Sequence, residues 1–179
     1  MKQLTINDKE YTVKFDYNFY NRLLEDAQAR AKNKERDKAQ DNANQTDGFN
    51  QLILQLIDQD PEAIVRAYRD AIVGKKRPTR SDIEQALADA GVWESKDPYG
   101  DLYKELKQDG FLRLKIQHLQ RLMKEDIKTS EVALEATSES NKGKKDKQSQ
   151  DEIQQAKNQV ILSRKSYEMF NDFLSHLEK

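Results

Sequence analysis

The chain has 179 residues, 35% of them charged and 36% hydrophobic, which is enough for one modest core with polar attachments. Its 31 basic and 32 acidic residues leave a net charge of -1, which argues against the broad positive field of a protein that binds nucleic acid or anionic membranes. The absence of cysteine excludes disulfides and thiolate zinc sites and favours a cytoplasmic protein, and no apolar run reaches the roughly 20 residues that span a bilayer.

The N-terminal part of the chain predicts a β-hairpin followed by an amphipathic helix. Apolar and polar residues alternate in residues 3–6 and 11–15, and the polar segment 7–10 between them supplies a turn. A lone hairpin is marginally stable in water, so its apolar face must pack against the helices that follow. Asp16 is placed to cap the first helix, whose apolar stripe ends near Ala31.

A polar insert at 30–47 interrupts the helical pattern. It has almost nothing larger than alanine to bury, so it is predicted to be a mobile loop. The most apolar helix follows, around Leu52 and Leu56, and Asp60 and Pro61 then supply a cap and a first-turn proline for the next helix. These two helices are therefore predicted to meet at a tight corner.

A short capped helix and a longer helix complete the predicted domain, which spans residues 1–127. Residues 79–84 contain two overlapping capping-box registers, which predict the start of the short helix. A last apolar stripe runs from Leu102 past Gly110 to Ile127 at helical spacing. We assign the apolar stripes of this region to the core.

The remainder of the chain is predicted to be a flexible polar linker, 128–151, and an amphipathic helix, 152–179. The linker is too poor in apolar anchors to offset its ordering entropy. The predicted fold class is therefore mainly α: a small helical domain with an N-terminal β-hairpin, plus the linker and the C-terminal helix. That helix carries a seam of a and d heptad positions, interrupted only at Ser163. The seam consists of Ile153, Ala156, Val160, Tyr167, Phe170, Leu174 and Leu177.

The bulky end of this helix is the predicted partner-binding site. Its residues are Tyr167, Phe170, Phe173, Leu174 and Leu177. Packing back onto the domain and docking into a groove of another protein use the same apolar anchors, so the sequence leaves both alternatives open. A second copy of this chain is one such partner.

No catalytic, cofactor-binding or metal-binding residue is predicted. His118 and His176 each stand alone on a charged helix, which favours solvated side chains over metal ligands or a catalytic base. The segment Gly74-Lys75-Lys76 lacks a preceding glycine loop and follows a helix, unlike a phosphate-binding loop. Asp60 and Glu62 fit helix capping and dipole matching better than acid-base chemistry. We therefore expect a binding protein, not an enzyme.

The order of the predicted elements resembles a known family. A hairpin in residues 1–11 and an aromatic helix come first, and the corner Asp60-Pro61-Glu62-Ala63 follows. The capped segment Pro78-Thr79-Arg80-Ser81-Asp82-Ile83-Glu84-Gln85-Ala86-Leu87 and the helix with Leu102-Tyr103-Lys104-Glu105-Leu106 come next. Over about residues 1 to 125 this order resembles the tail assembly chaperones of long-tailed phages of Gram-positive bacteria. The insert at 30–47 and the tail after Lys128 depart from the compact pattern of that family.

The resemblance implies a late, non-virion protein of the bacterial host cytoplasm that binds the tape-measure protein, keeps it soluble and helps to bring tail-tube subunits to it. Covering extended apolar helix faces suppresses aggregation, so such a role is physically reasonable. Partners in this interpretation are the tape-measure and tail-tube proteins, with self-association open and no membrane or nucleic acid expected. Two alternatives stay open. One is a structural connector or tail component. The other is a nucleic-acid-binding regulator that uses the basic face at Arg113, Lys115, Arg121 and Lys124.

Overall fold

The computed structural model describes residues 2–34, 47–74, 76–143 and 146–177. The helices and strands, in chain order, are β1 (Lys2–Ile6), β2 (Lys9–Val13), α1 (Tyr17–Lys34), α2 (Gly48–Ile57), α3 (Pro61–Ala71), α4 (Arg80–Asp89), α5 (Pro98–Gln108), α6 (Gly110–Ser140) and α7 (Lys147–Leu177). This arrangement confirms the predicted mainly α class with an N-terminal hairpin. The predicted polar insert at 30–47 falls mostly on residues 35–46, which lie outside the described residues.

The chain divides into two compact units, Met1–Ile116 and Gln117–Lys179, and the division falls within α6. The first unit contains the hairpin, α1 to α5 and the start of α6. The second contains the rest of α6 and α7. The sequence had placed the end of the helical domain later, at residue 127.

The β-hairpin is closed by a two-residue turn with left-handed backbone at both positions. Asn7 has φ 49° and Asp8 has φ 60°, and Ile6 pairs with Lys9 across the turn. Positive φ at both central residues matches the right-handed twist of the strands. The Lys14 backbone N–H donates to the Ala71 carbonyl oxygen over 2.9 Å, so the hairpin is tied to the end of α3.

Replacing Asp8 by glycine is expected to raise the free energy of unfolding of the first unit by about 0.5–1 kcal/mol, because glycine adopts positive φ without steric cost. Glu10→Gly is the control, since glycine is unfavourable within a strand and should destabilise the hairpin there. Thermal melts followed by the fluorescence of Trp93, the only tryptophan, measure both changes. An unchanged or lower melting temperature for Asp8→Gly would contradict this account of the turn.

Capping side chains begin the helices of the first unit as the sequence predicts. The Asp16 carboxylate accepts the backbone N–H of Phe19 over 3.1 Å at the start of α1. Asp60 caps α3, with Pro61 in the first turn. At α4, Thr79 forms a complete capping box with Asp82. These bonds satisfy backbone donors that a helix start otherwise leaves without partners.

The predicted helix from Leu102 past Gly110 is in fact two helices, α5 and α6. Asp109 between them has an extended backbone with ψ 129°, and its carboxylate accepts the Leu112 backbone N–H over 3.0 Å. Asp109 thus ends α5 and caps α6. The apolar spacing continues through the break, which is why periodicity alone did not reveal it.

The core of the first unit is built around α2 and α3. Aromatic rings of α1 and α2 meet edge to face, with the ring centroids of Phe19 and Phe49 6.4 Å apart. Gly48 lies so close to the backbone of α1 that a Cβ there would overlap the Leu23 carbonyl oxygen. This close approach fixes the spacing of α1 and α2.

In the second unit, α6 and α7 form an antiparallel helical hairpin. Residues 128–140, which the sequence assigns to a polar linker, are helical, and α7 begins at Lys147, before the predicted start at 152. The difference arises because small polar residues such as Ser130 occupy seam positions of α6, where a search for apolar anchors does not find them. The flexibility of this segment stays a prediction.

Candidate protein-binding surfaces

The seam of α7 faces inward along the whole helix. Buried or half-buried residues recur at steps of four and three, as the heptad pattern predicts. Of the five predicted partner-binding residues, Phe170 is fully buried. The other four are half-buried: Tyr167, Phe173, Leu174 and Leu177. The structure therefore places all five along or beside one seam, and it shows α7 folded back against α6.

Hydrogen bonds between polar side chains join α6 and α7 at intervals along their length. Near the start of the paired helices, the Gln120 amide donates to Asn171 over 3.2 Å. Near the connecting turn, the Asn141 amide donates to Glu152 over 3.0 Å. Residues later in α6 thus contact residues earlier in α7, and the two contacts are consistent with one antiparallel register for the hairpin.

The centre of the hairpin is polar. Ser130 and Ser163 are both buried, and their hydroxyl oxygens lie 3.3 Å apart. The Ser163 hydroxyl also donates to the Asp126 carboxylate over 2.5 Å. Beside them, Arg164 pairs with Glu131 over 2.5 Å in an exposed position. The position where the sequence shows a break in the apolar seam is therefore a hydrogen-bonded polar layer.

Large apolar side chains lie on the outer surface of the same hairpin. Ile161 is 61% exposed and Leu162 is 58% exposed, while their neighbour Ser163 is only 7% exposed. Met169 of α7 and Val132 of α6 are also exposed. At its centre, α7 thus presents larger apolar groups to solvent than to α6, a pattern typical of surfaces that contact another protein.

A second candidate surface lies in the first unit, where α1 and α6 bring aromatic rings together. The Tyr17 and Phe111 ring centroids are 5.1 Å apart, and those of Tyr20 and Phe111 are 5.0 Å apart. Tyr17 is 55% exposed, and Leu114, one turn after Phe111, is 62% exposed. The exposed edge of this cluster is apolar.

Ionic and hydrogen-bonded contacts hold the aromatic cluster in place. The Tyr20 hydroxyl donates to Asp47 over 2.9 Å, and Lys115 pairs with Asp47 over 2.6 Å. The Lys115 ammonium also lies 4.9 Å from the centre of the Tyr20 ring. Burial, together with the bond to Asp47, raises the pKa of Tyr20, so its hydroxyl remains a donor. Sequence analysis missed this surface, although an aromatic pair spaced by three residues at the start of a helix was a usable signal.

The first unit also has a small cavity of about 200 Å³ beside Lys2, Tyr68 and Glu105. The Lys2 ammonium donates to the Tyr68 hydroxyl over 2.5 Å and to Glu105 over 3.0 Å. Burial acts to lower the pKa of Lys2, but these two contacts outweigh it and raise that pKa. Burial raises the pKa of Tyr68. A charged lysine and a neutral tyrosine form an anchor joining β1, α3 and α5, and neither is activated for acid-base chemistry.

The two histidines lie in the second unit and contact other groups on their own helices. His118 Nδ1 is 2.8 Å from Arg121, and His176 Nδ1 is 2.7 Å from the Asp172 carbonyl oxygen. Within the described ranges, no group of three or more histidine, aspartate or glutamate side chains is arranged to hold a metal ion. Nor does that part of the chain contain a helix both long and apolar enough to cross a bilayer.

Comparison with known proteins gives one family. A family model described as "Phage tail assembly chaperone protein, TAC" matches residues 3–120, which is most of the chain. Comparisons with curated proteins and with solved structures gave no significant match. The matched residues take in the aromatic cluster and the start of α6, and most of the α6–α7 hairpin lies beyond them.

Proposed function

The chain belongs to the phage tail assembly chaperone family, and we propose that it binds the tape-measure protein of its phage, keeps that protein soluble in the bacterial host cytoplasm and helps to recruit tail-tube subunits. In this proposal it acts as a late, non-virion protein. The role needs binding surfaces and no catalytic group.

Two apolar surfaces of α7 support a helical partner. One is the seam that packs against α6, and the other is the exposed surface at Ile161 and Leu162. Each helix has 31 residues, so each is about 45 Å long at the rise of an α-helix. An arm of this length can follow the axis of another long helix. Docking of an amphipathic helix uses anchors at heptad spacing, and α7 has these anchors on its seam.

We assign the contact to Tyr167, Phe170, Phe173, Leu174 and Leu177 of α7, together with the exposed residues Ile161 and Leu162. Each fully buried side chain of this size contributes on the order of 1.5–3 kcal/mol before ordering costs. Several such anchors are enough for a reversible complex, which a chaperone must later release.

Co-expression with the tape-measure protein of the same phage tests the proposal. We expect the soluble fraction of the tape-measure protein to rise severalfold and the two proteins to co-purify, because the chaperone covers apolar helix faces. Ile161→Lys/Leu162→Lys should weaken the complex, whereas Arg164→Lys in the same turn is a control that keeps the surface chemistry.

Mass spectrometry of purified particles distinguishes a chaperone from a component of the tail. We expect the chain to be absent from mature particles. Stoichiometric recovery of the chain from particles, or a tape-measure protein equally soluble without it, would contradict the proposed function.

A further inference from the structure

The α6–α7 hairpin uses the seam of α7 incompletely. At its centre the seam buries the hydroxyls of Ser130 and Ser163 instead of apolar side chains. A polar residue at one seam position fixes the register of paired helices at a cost in stability. This layer therefore fixes how α7 lies on α6, and it makes their association weaker than an apolar layer would.

Three other polar contacts between the two helices each contribute little to their association. The Arg164–Glu131 pair is exposed, with 57% of the arginine side chain accessible, and such ion pairs contribute little to stability. The hydrogen bonds of Gln120 and Asn141 replace bonds to water, so each contributes only about 1 kcal/mol net. The hairpin therefore depends mainly on apolar burial on either side of the polar layer, at Val160 and Phe170, and separating its helices costs less than separating a pair whose seam is apolar throughout.

A different helix could bury more apolar surface of α7 than α6 does. Val160 and Phe170 of the seam are already buried in the hairpin, whereas Tyr167 is half-buried and the outer residues Ile161 and Leu162 are exposed. A partner helix with apolar residues opposite position 163 and along its flank would keep the seam residues buried and would also cover Ile161 and Leu162. The gain in buried apolar area then favours exchange of α6 for the partner.

We infer that the α6–α7 hairpin is an autoinhibited arm that opens, and that α7 then binds an amphipathic helix of the tape-measure protein through the seam it had packed against α6. This inference rests on the proposed function and names the surface that performs it. In the closed hairpin α6 occupies the seam and competes with the partner, which weakens the apparent affinity and keeps the seam covered before the partner is made.

A disulfide across the polar layer tests the inference. The chain has no cysteine, so S130C/S163C introduces the only thiols, and the two serine hydroxyls, 3.3 Å apart, point at each other across the seam. Loss of both free thiols on oxidation shows that the bond has formed. Purified tape-measure protein is the probe. We expect the oxidised variant to bind at least about tenfold more weakly than the same variant after reduction, because the locked hairpin cannot expose its seam.

The outcomes separate the inference from the proposed function. The single variant Ser163→Cys, which cannot cross-link within the chain, should bind alike with and without reductant. Equal binding by the oxidised and reduced double variant would overturn the opening and leave the proposed function intact. Failure of the wild-type chain to bind the probe would instead overturn the proposed function.

Hydrogen exchange tests the opening without any partner. Amides of α7 in the free wild-type chain are expected to exchange at least about tenfold faster than those of α3, since a helix released from its packing partner is only marginally stable in water and unwinds. Oxidation of S130C/S163C should slow exchange in α7 and leave α3 unchanged. Protection of α7 equal to that of α3 in the free wild-type chain would overturn the inference.

Discussion

Asp70→Ala is expected to lower the free energy of unfolding of the first unit by about 3 kcal/mol, because it removes a buried carboxylate that accepts hydrogen bonds from two arginines and leaves those donors with fewer partners. The Asp70 side chain is completely buried at the end of α3. Its carboxylate accepts bonds from Arg69 over 3.1 Å and from Arg77 over 2.9 Å. Asp26 of α1 pairs with the same two arginines. The cluster thus joins α1, α3 and the segment before α4.

Thermal melts followed by Trp93 fluorescence measure the effect, which should lower the melting temperature by about 10 °C. Glu84→Ala is the matched control. It removes a carboxylate that pairs with Arg80 on the surface of α4, so the melting temperature should hardly change. Equal melting temperatures for Asp70→Ala and wild type would show that the buried cluster does not hold the three segments together.

The same carboxylate predicts a pH dependence with a definite sign. Burial raises the pKa of Asp70, and the bonds to Arg69 and contacts with Arg77 only partly oppose it. Between the ordinary aspartate pKa of about 3.9 and this raised pKa, the folded chain holds a proton that the unfolded chain has lost. The contribution of Asp70 to stability is therefore complete below the ordinary pKa and is lost as the pH rises through the raised one. Asp70→Asn should remove this component from the pH profile of stability.

Gly48→Ala is expected to lower the free energy of unfolding of the first unit by about 2–3 kcal/mol, because inserting atoms into a closely packed contact forces the backbone to shift. The new Cβ would overlap the backbone carbonyl of Leu23 and press on the Ala27 side chain. A backbone carbonyl cannot rotate away as a flexible side chain can. Helices α1 and α2 must then separate, which loosens the contact between Phe19 and Phe49.

Gly110→Ala is the control for this substitution. Gly110 also stands at the first position of a helix, but a Cβ there meets nothing within 4 Å. Alanine should therefore be neutral or slightly stabilising at that position, since it restricts the unfolded chain. Equal melting temperatures for the two variants, again measured through Trp93, would show that α1 and α2 are not as closely packed at Gly48 as the structure indicates.

The sequence by itself determined the elements whose signals are local. The turn at Asn7 and Asp8, the cap at Asp60 and the capping box at Thr79 depend on residues within a few positions of each other, so the chain order reveals them. The order of these elements was also enough to identify the chaperone family, which the match over residues 3–120 confirms. The heptad seam of α7 was visible for the same reason.

Only the tertiary structure decided which surfaces meet. Asp26 of α1 is far along the chain from Asp70 and Arg77, and no local pattern predicts that the three side chains form one cluster. The predicted seam could equally serve α6 or another protein, because apolar periodicity specifies a face and not its partner. The sequence shows Ser163 only as a break in the apolar seam and gives no sign of Ser130 as its partner, because their hydrogen bond exists only when α7 lies antiparallel to α6 in one register.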